Sequence, residues 1–285
     1  MQQRTDLALE NKEMHNNLPN GVTCKEEKRG EAKVTIIDII NDEGEKALGR
    51  KRGKYITVEV PAFSDNVHSE ELLNTVIGQL NFLLPKGESV LVVGLGNRNI
   101  TPDALGPLAC DSILATRHIE KELARSAGIK KINSISVLVP GVLGQTGIEA
   151  FNIIKGVVEE ISPSAVIVID ALASLNVSRL GCTLQMSNTG IEPGAGVGNA
   201  RFEISEKTLG VPVIAMGVPT VVDATNLVRG LVGEGADLKP DGRQMIVTPR
   251  EIDLLIDRAA TLISEVINFA LNPNISRSLI KSIIE

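Results

Sequence analysis

Residues 90–107 read VLVVGLGNRNITPDALGP: an unbroken apolar run, two glycines, a polar loop, then apolar residues returning at helical spacing. The run 90–93 shows no polar alternation, which is the pattern of a strand buried on both faces of a parallel sheet. Beyond the loop, Leu105, Leu108, Ser112, Ala115 and Ile119 fall on one side of a predicted helix. The same unit recurs downstream. Residues 135–139 and 165–169 read as strands with a helix over about 147–161 between them, and 213–216 reads as a later strand. Repetition of this unit predicts an α/β fold, a mostly parallel open sheet with helices on both faces.

Working outward, 34–40 and 56–60 add N-terminal strands, and the charged stretch between them (NDEGEKALGRKRGK, 41–54) reads as an exposed loop or hairpin. Residues 71–84 place Leu72, Leu73, Val76, Ile77, Leu80 and Leu84 on one helical face. A last long helix is expected to begin at Thr248-Pro249, with Thr capping and Pro in the first helical position. Residues 1–32 are polar and charged with little apolar periodicity, so 7–32 is expected to be a flexible leader ahead of a single domain over 33–285.

Composition narrows the classes. The 285 residues are 43% hydrophobic but only 2% aromatic, with no Trp, so the core must be built from Val, Ile, Leu and Ala. A net charge of -6 argues against a nucleic-acid-binding surface. Cys24, Cys110 and Cys182 have no paired spacing, which indicates neither a disulfide framework nor a zinc site and suits a reducing, cytoplasmic setting. No apolar run approaches the roughly 20 residues of a membrane span. The first 20 residues lack the apolar region of a signal peptide.

In open α/β sheets, sites form at the carboxyl ends of the strands. The three exits read GLGNRNITPDALGP (94–107), Asp170-Ala171-Leu172-Ala173-Ser174, and GVPTVVDAT (217–225), which puts Asp103, Asp170 and Asp223 toward one crevice. The first loop is not a dinucleotide fingerprint, because Asn99 stands where the third glycine belongs and Pro102 and Asp103 delay the helix. There is no GxSxG elbow, and His15, His68 and His118 lie away from the strand exits. Cys110 and Cys182 read as core residues, and no HExxH is present. Paired aspartates remain. Two carboxylates sharing a site do not both ionise readily. The ionised one activates water while the protonated one polarises a carbonyl or protonates the leaving amine. Asp103 and Asp170, each beside small residues, are the natural pair. A lone Asp at a strand exit also serves as a helix N-cap, and spacing alone leaves that open for Asp103.

These residues resemble the spore germination protease family, endopeptidases that degrade small acid-soluble spore proteins. The resemblance runs through RTDLALE (4–10), GLGNRNITPDALGP (94–107), PGVLGQTGIE (140–149), VIVIDALAS (166–174), NTGIEPGAGVGN (188–199), GVPVIAMGVPTVVDAT (210–225) and VTPREID (247–253), nearly the whole chain. It implies a fold similar to the hydrogenase maturation endopeptidases, with the family's essential aspartates on Asp103 and Asp170. The role split is taken as Asp170 for the base and Asp103 for the protonated partner, the reverse being equally open. No cofactor is expected. The metal of the hydrogenase peptidases is not carried over, because no histidine stands in a corresponding loop.

Asn97, Asn99 and the 188–199 loop with Gly194 and Gly196 are expected to shape the crevice. That loop either offers backbone N–H groups to an oxyanion or is a plain connection. Asp223 is expected to cap or support structure rather than act as a third acid. The resemblance also implies a zymogen whose substrates are cut after Glu in motifs like Thr-Glu-Ile/Phe-Ala-Ser-Glu. Residues 5–10, Thr-Asp-Leu-Ala-Leu-Glu, match it with Asp at the cut, so autoprocessing is expected between Asp6 and Leu7, removing 1–6 as a propeptide. The implied partners are small acid-soluble spore proteins as substrate and further copies of the chain in a tetramer, with no direct nucleic acid or membrane. The implied setting is the cytoplasm of the forespore and the spore core. The short 230–245 segment replaces a longer insertion of some relatives and puts any contact built from that insertion in doubt. Two other readings stand beside this one: a metal-assisted maturation peptidase of the hydrogenase type, and a non-catalytic spore-core binding protein.

Overall fold

The apolar run that opens the α/β pattern forms the middle of β4 (Ser89–Gly94), which pairs in parallel on both sides, with β5 (Ser134–Leu138) and β6 (Ala165–Ser174). β8 (Val213–Asp223) extends this parallel half by pairing with β6. The computed structural model describes residues 4–65, 69–119, 132–233 and 245–284. Beyond β8 the sheet turns antiparallel through β7 (Thr183–Ser187), β3 (Gly53–Glu59), β2 (Ala32–Ile39) and β1 (Val22–Arg29). The order is β1-β2-β3-β7-β8-β6-β4-β5, with the short β9 (Ile246–Val247) also on β8. The expected α/β fold is present, and the parallel core is one half of a larger mixed sheet.

Helices cover both faces, which is why the central strands carry no alternation. The helices near the site are α1 (Ala8–Glu13), α2 (Asp42–Leu48), α3 (Glu70–Leu83), α4 (Leu105–Asp111), α5 (Ala150–Ile161), α6 (Ala224–Val232) and α7 (Ile252–Leu271). On one face α3, α4 and α7 bury Leu80, Leu105, Ile263 and Ile267 against Val90, Val92, Ile167 and Ile169. On the other, Ile154 and Val158 of α5 cover Leu91, Val93, Val166 and Val168.

Residues 7–32 are not a flexible leader. Leu7, Ala8 and Leu9 are fully buried, and α1 packs on Ile37, Ile39 and Tyr55. β1 is paired with β2 along its whole length. Its charges disguised it, because an edge strand shows solvent a row of Lys and Glu that also deters further pairing. The stretch 41–54 contains α2, whose N-cap Asn41 accepts from the Gly44 N–H at 3.0 Å. The helix expected to run from Leu105 to Ile119 stops at Asp111. There Asn268 of α7 takes over the chain, donating to the Ser112 carbonyl at 2.8 Å and accepting from the Leu114 N–H at 2.9 Å. α7 begins at Ile252 rather than at Thr248-Pro249, because Thr248 instead donates its hydroxyl to the Thr220 carbonyl at 2.9 Å. Most of the 230–245 segment lies outside the described residues.

Small residues let α4 lie directly on the strands. A Cβ on Gly106 would sit 2.6 Å from both the Leu95 nitrogen and the Ile169 oxygen, backbone atoms that cannot turn aside. Overpacking typically costs about 1–3 kcal/mol and more where backbone must move. Gly106→Ala is therefore expected to lower stability by about 3 kcal/mol, roughly 6–12 °C in melting temperature for a chain of this size. A thermal melt at the wild-type temperature would mean that α4 has room to spare.

Candidate active site

β6 does not end at Ile169. Its pairing with β8 continues through Asp170↔Gly217 to a bulge between Leu172 and Ala173. Asp170 is thus inside a strand rather than at its exit, as the apolar continuation Ala171-Leu172-Ala173 allows. On the other side of β8, Gln185 of β7 is also paired with Gly217. Residues in register share a face of the sheet. Asp170 and Gln185 therefore flank Gly217 on one face, with no side chain between them. A Cβ on Gly217 would collide with the Asp170 carbonyl and lie 2.9 Å from Leu172 Cγ.

Asp103 arrives from the next strand over, in the turn Thr101–Asp103 that follows β4. The Asn97 N–H donates to its carboxylate at 2.8 Å and to its carbonyl at 3.1 Å, closing the loop. Thr220 donates to the Pro102 carbonyl at 2.7 Å and pins the turn to β8. Ala104, not Asp103, is the N-cap of α4, so the capping role that spacing left open for Asp103 is not the one it takes.

The Asp103 charge reaches Asp170. Asp170 is buried, and burial first, then the charges of Asp103 and Asp6, push its pKa well above the usual carboxylate range. The Ala171 N–H, donating at 3.0 Å, opposes this only in part. Asp103 is also raised, by burial against the opposing Asn97 N–H. Asp170 is the more deeply buried of the two, which favours the second of the two role splits that the sequence leaves open.

Asp6 comes from the chain's own N-terminus. Its N–H donates to the Ala173 carbonyl and its carboxylate accepts from the Ala173 N–H, both at 2.8 Å. The bulge beside Ala173 is what frees these groups from the ladder. A second donor to the Asp6 carboxylate is the Gly196 N–H, where a Cβ would collide with the carboxylate oxygens. The glycine-rich loop thus donates an N–H to a side-chain carboxyl group. Burial still raises Asp6 above its ordinary pKa, against these N–H groups and the Arg50 charge.

Four residues on, Glu10 accepts from the Leu175 and Asn176 N–H groups, each at 2.8 Å, and from the Thr5 hydroxyl. Arg50 donates to the Thr5 carbonyl and, at 2.9 Å, to Asn11 Oδ1. Gln185 sits across the Asp6–Leu7–Ala8 backbone, its Nε2 donating to the Asp6 carbonyl and its Oε1 accepting from the Ala8 N–H, both at 2.7 Å.

The other residues singled out from sequence sort as follows. Asn97 holds the Asp103 loop, its Oδ1 accepting from the Asn99 N–H at 3.0 Å and from Gln145 at 2.8 Å. Asn99 is exposed at the loop tip. Gly194, at φ 74°, turns the glycine-rich loop. Asp223 caps α6, its carboxylate accepting from the Thr225 N–H at 2.7 Å. The Cys110 thiol is buried and pushed up to about 12, chiefly by that burial, which leaves no thiolate nucleophile there.

Sequence reasoning missed Gln185, Arg50 and the Ala173 N–H. Only Gln185 left a signal: in 183–187 it alternates with Leu184 and Met186, a polar residue on the face opposite the core. Among the described residues no group of three or more His, Cys, Asp or Glu is placed to hold a metal ion, and no helix is long and apolar enough to cross a membrane.

The family model described as germination protease matches residues 2–233. The germination protease of Caldanaerobacter subterraneus subsp. tengcongensis is 44% identical, over 96% of this chain and 95% of its own length. That of Clostridium acetobutylicum is 38% identical over 96% and 97%. That of Priestia megaterium is 44% identical over 84% of this chain and 66% of its own length. Among solved structures, the [NiFe] hydrogenase maturation protease HycI of Thermococcus kodakarensis is similar at TM-score 0.38 and 16% identity, over 66% of this chain and 97% of that one. A model match over more than half of the chain, with relatives this similar over nearly its full length, means that the chain belongs to the germination protease family.

Proposed function

We propose that this peptidase is an autoprocessing zymogen that starts the degradation of small acid-soluble spore proteins during germination, in the cytoplasm of the spore core. In this reading it acts as a homo-oligomer through Asp103 and Asp170. Asp103, ionised, takes a proton from the attacking water, and Asp170, neutral, gives one to the leaving amine. The observation that carries the reading is the seating of residues 5–10. Asp6 bridges β7 and β6 over Gly217, on the face and at the level of Asp170.

The two acids of this segment, Asp6 and Glu10, are each held by two backbone N–H groups, and they stand where Thr-Glu-Ile/Phe-Ala-Ser-Glu has its two glutamates. A cavity of about 140 Å³ beside Asp6, with Arg50 on its wall, leaves space for the extra methylene of Glu. The buried hydroxyls of Thr35 and Thr57, on the same face as Gln185, have no hydrogen-bond partner among the described residues, which favours later displacement of the segment above them.

A tethered occupant has an effective concentration of about 1 mM, against which a substrate at about 10 µM competes poorly. The full chain is therefore expected to cut a purified small acid-soluble spore protein about 100-fold more slowly than the chain lacking residues 1–6. Mass spectrometry should place the cut after the first Glu of the motif, with or without chelator. Loss of cleavage on chelation would instead support the metal-assisted alternative. Equal rates for the two forms would remove the zymogen from the proposal.

A further inference from the structure

Beyond the aspartate pair, we infer that Gln185 is a catalytic residue of this peptidase: its Nε2 N–H is the donor that stabilises the oxyanion formed at the scissile carbonyl. The inference rests on the reading that Asp6–Leu7 is the bond cut in autoprocessing. Its own support is geometric. The carbonyl of that bond accepts from Gln185 Nε2 at 2.7 Å, inside the range useful for a developing oxyanion. The other end of the same amide holds the Ala8 N–H at 2.7 Å, so one planar group grips the chain on both sides of the bond.

The sheet explains why a glutamine serves here. Gln185 and Asp170 stand in register on either side of Gly217, so a peptide lying over that glycine presents its carbonyl to one and its reacting centre toward the other. A side chain at 217 would fill the space. Gln185 is also set among groups that cannot replace it. The Ala173 and Gly196 N–H groups go to the Asp6 carboxylate, and the Leu7 N–H, on the leaving nitrogen, goes to Thr5 Oγ1 at 3.0 Å.

The chemistry balances as hydrolysis. The water oxygen bonds to the Asp6 carbonyl carbon, its proton passes to the Asp103 carboxylate, and the C=O π pair moves onto the oxygen that faces Gln185 Nε2. Collapse restores the C=O bond and breaks C–N, and the Leu7 nitrogen takes the proton from Asp170. The products are a carboxylic acid at residue 6 and a free amine at Leu7. Gln185 exchanges no proton; it stabilises charge.

The test uses the full chain and its Gln185→Glu and Gln185→Ala variants, following the first-order appearance of the Leu7 N-terminus by intact mass between pH 4 and 8. Hydrogen exchange of residues 5–10 is measured in parallel. Gln185→Glu keeps the acceptor for the Ala8 N–H but donates only as the neutral acid. The expected result at pH 7 is a rate about 100-fold below wild type, the cost of removing one oxyanion donor, with protection of residues 5–10 retained. The ratio of variant to wild-type rate should then climb as the pH falls and the introduced glutamate takes up a proton. A rate within threefold of wild type for both variants would overturn the inference. So would a rate loss matched by equal loss of protection, which would make Gln185 a docking group only. If the wild-type chain cuts a spore protein yet never yields the Leu7 N-terminus, the autoprocessing reading fails, and this inference with it.

Discussion

Asp170→Asn is expected to lower peptidase activity about 10²–10⁴-fold, the usual contribution of a positioned acid or base, while raising the melting temperature at pH 7. Both effects come from one cause. Burial and the neighbouring charges of Asp103 and Asp6 push Asp170 to keep its proton where an ordinary carboxylate has lost it. The folded state therefore binds this proton more tightly than the unfolded state. Stability from Asp170 is full below the ordinary carboxylate range and is lost as pH rises toward the elevated folded pKa. Each pH unit over which the folded protein holds a proton that the unfolded chain has released costs about 1.4 kcal/mol.

Asparagine cannot ionise, and it retains an oxygen for the Ala171 N–H. The variant should thus melt several degrees above wild type at pH 7, and the gap should close near pH 4. Circular dichroism melts at both pH values, beside peptidase assays, check the two halves. An inactive variant that is less stable at pH 7 would show that Asp170 is ionised in the folded state. Asp103→Asn should lose activity similarly but gain less stability, because Asp103 is less buried and burial is what raises its pKa.

The parallel half of the fold was legible because burial on two faces leaves a plain mark, as in Val90–Val93 and Val166–Val168. The antiparallel edge was not. VTCKEEKR in β1 carries no apolar rhythm, since its order comes from pairing with β2 rather than from a buried face of its own. α1 is six residues long, too short to announce itself by period, and Ala8 and Leu9 are buried against Ile37, Ile39 and Tyr55, on strands about 30 to 50 positions away in sequence. Of the candidate site, Asp103 was legible from the loop that must turn beneath it. Asp170 was found for a reason that needed amending, its strand running on past it. Gln185 lies mid-strand with no motif around it, and only the pairing of β7 and β6 with one glycine gives it a place.

The pH profile of autoprocessing carries the second large effect. If the reactive form has Asp103 ionised and Asp170 neutral, the rate falls on both sides of an optimum, by about tenfold per pH unit beyond each limb. The acid limb belongs to Asp103 taking up its proton, and burial moves it above the ordinary carboxylate range. The alkaline limb belongs to Asp170 losing its proton, which burial and the charges of Asp103 and Asp6 push well above the ordinary carboxylate range.

One substitution separates them. Asp6 contributes a charge that helps keep Asp170 protonated, so Asp6→Asn should move the alkaline limb toward acid in the full chain. Asp6 is not among the charges that shift Asp103, so the acid limb should stay in place. Rates of Leu7 N-terminus formation from pH 3 to 9 for the wild-type chain and Asp6→Asn measure both limbs. An acid limb that moves while the alkaline limb stays would exchange the roles, with Asp170 as the base that must ionise before water can attack.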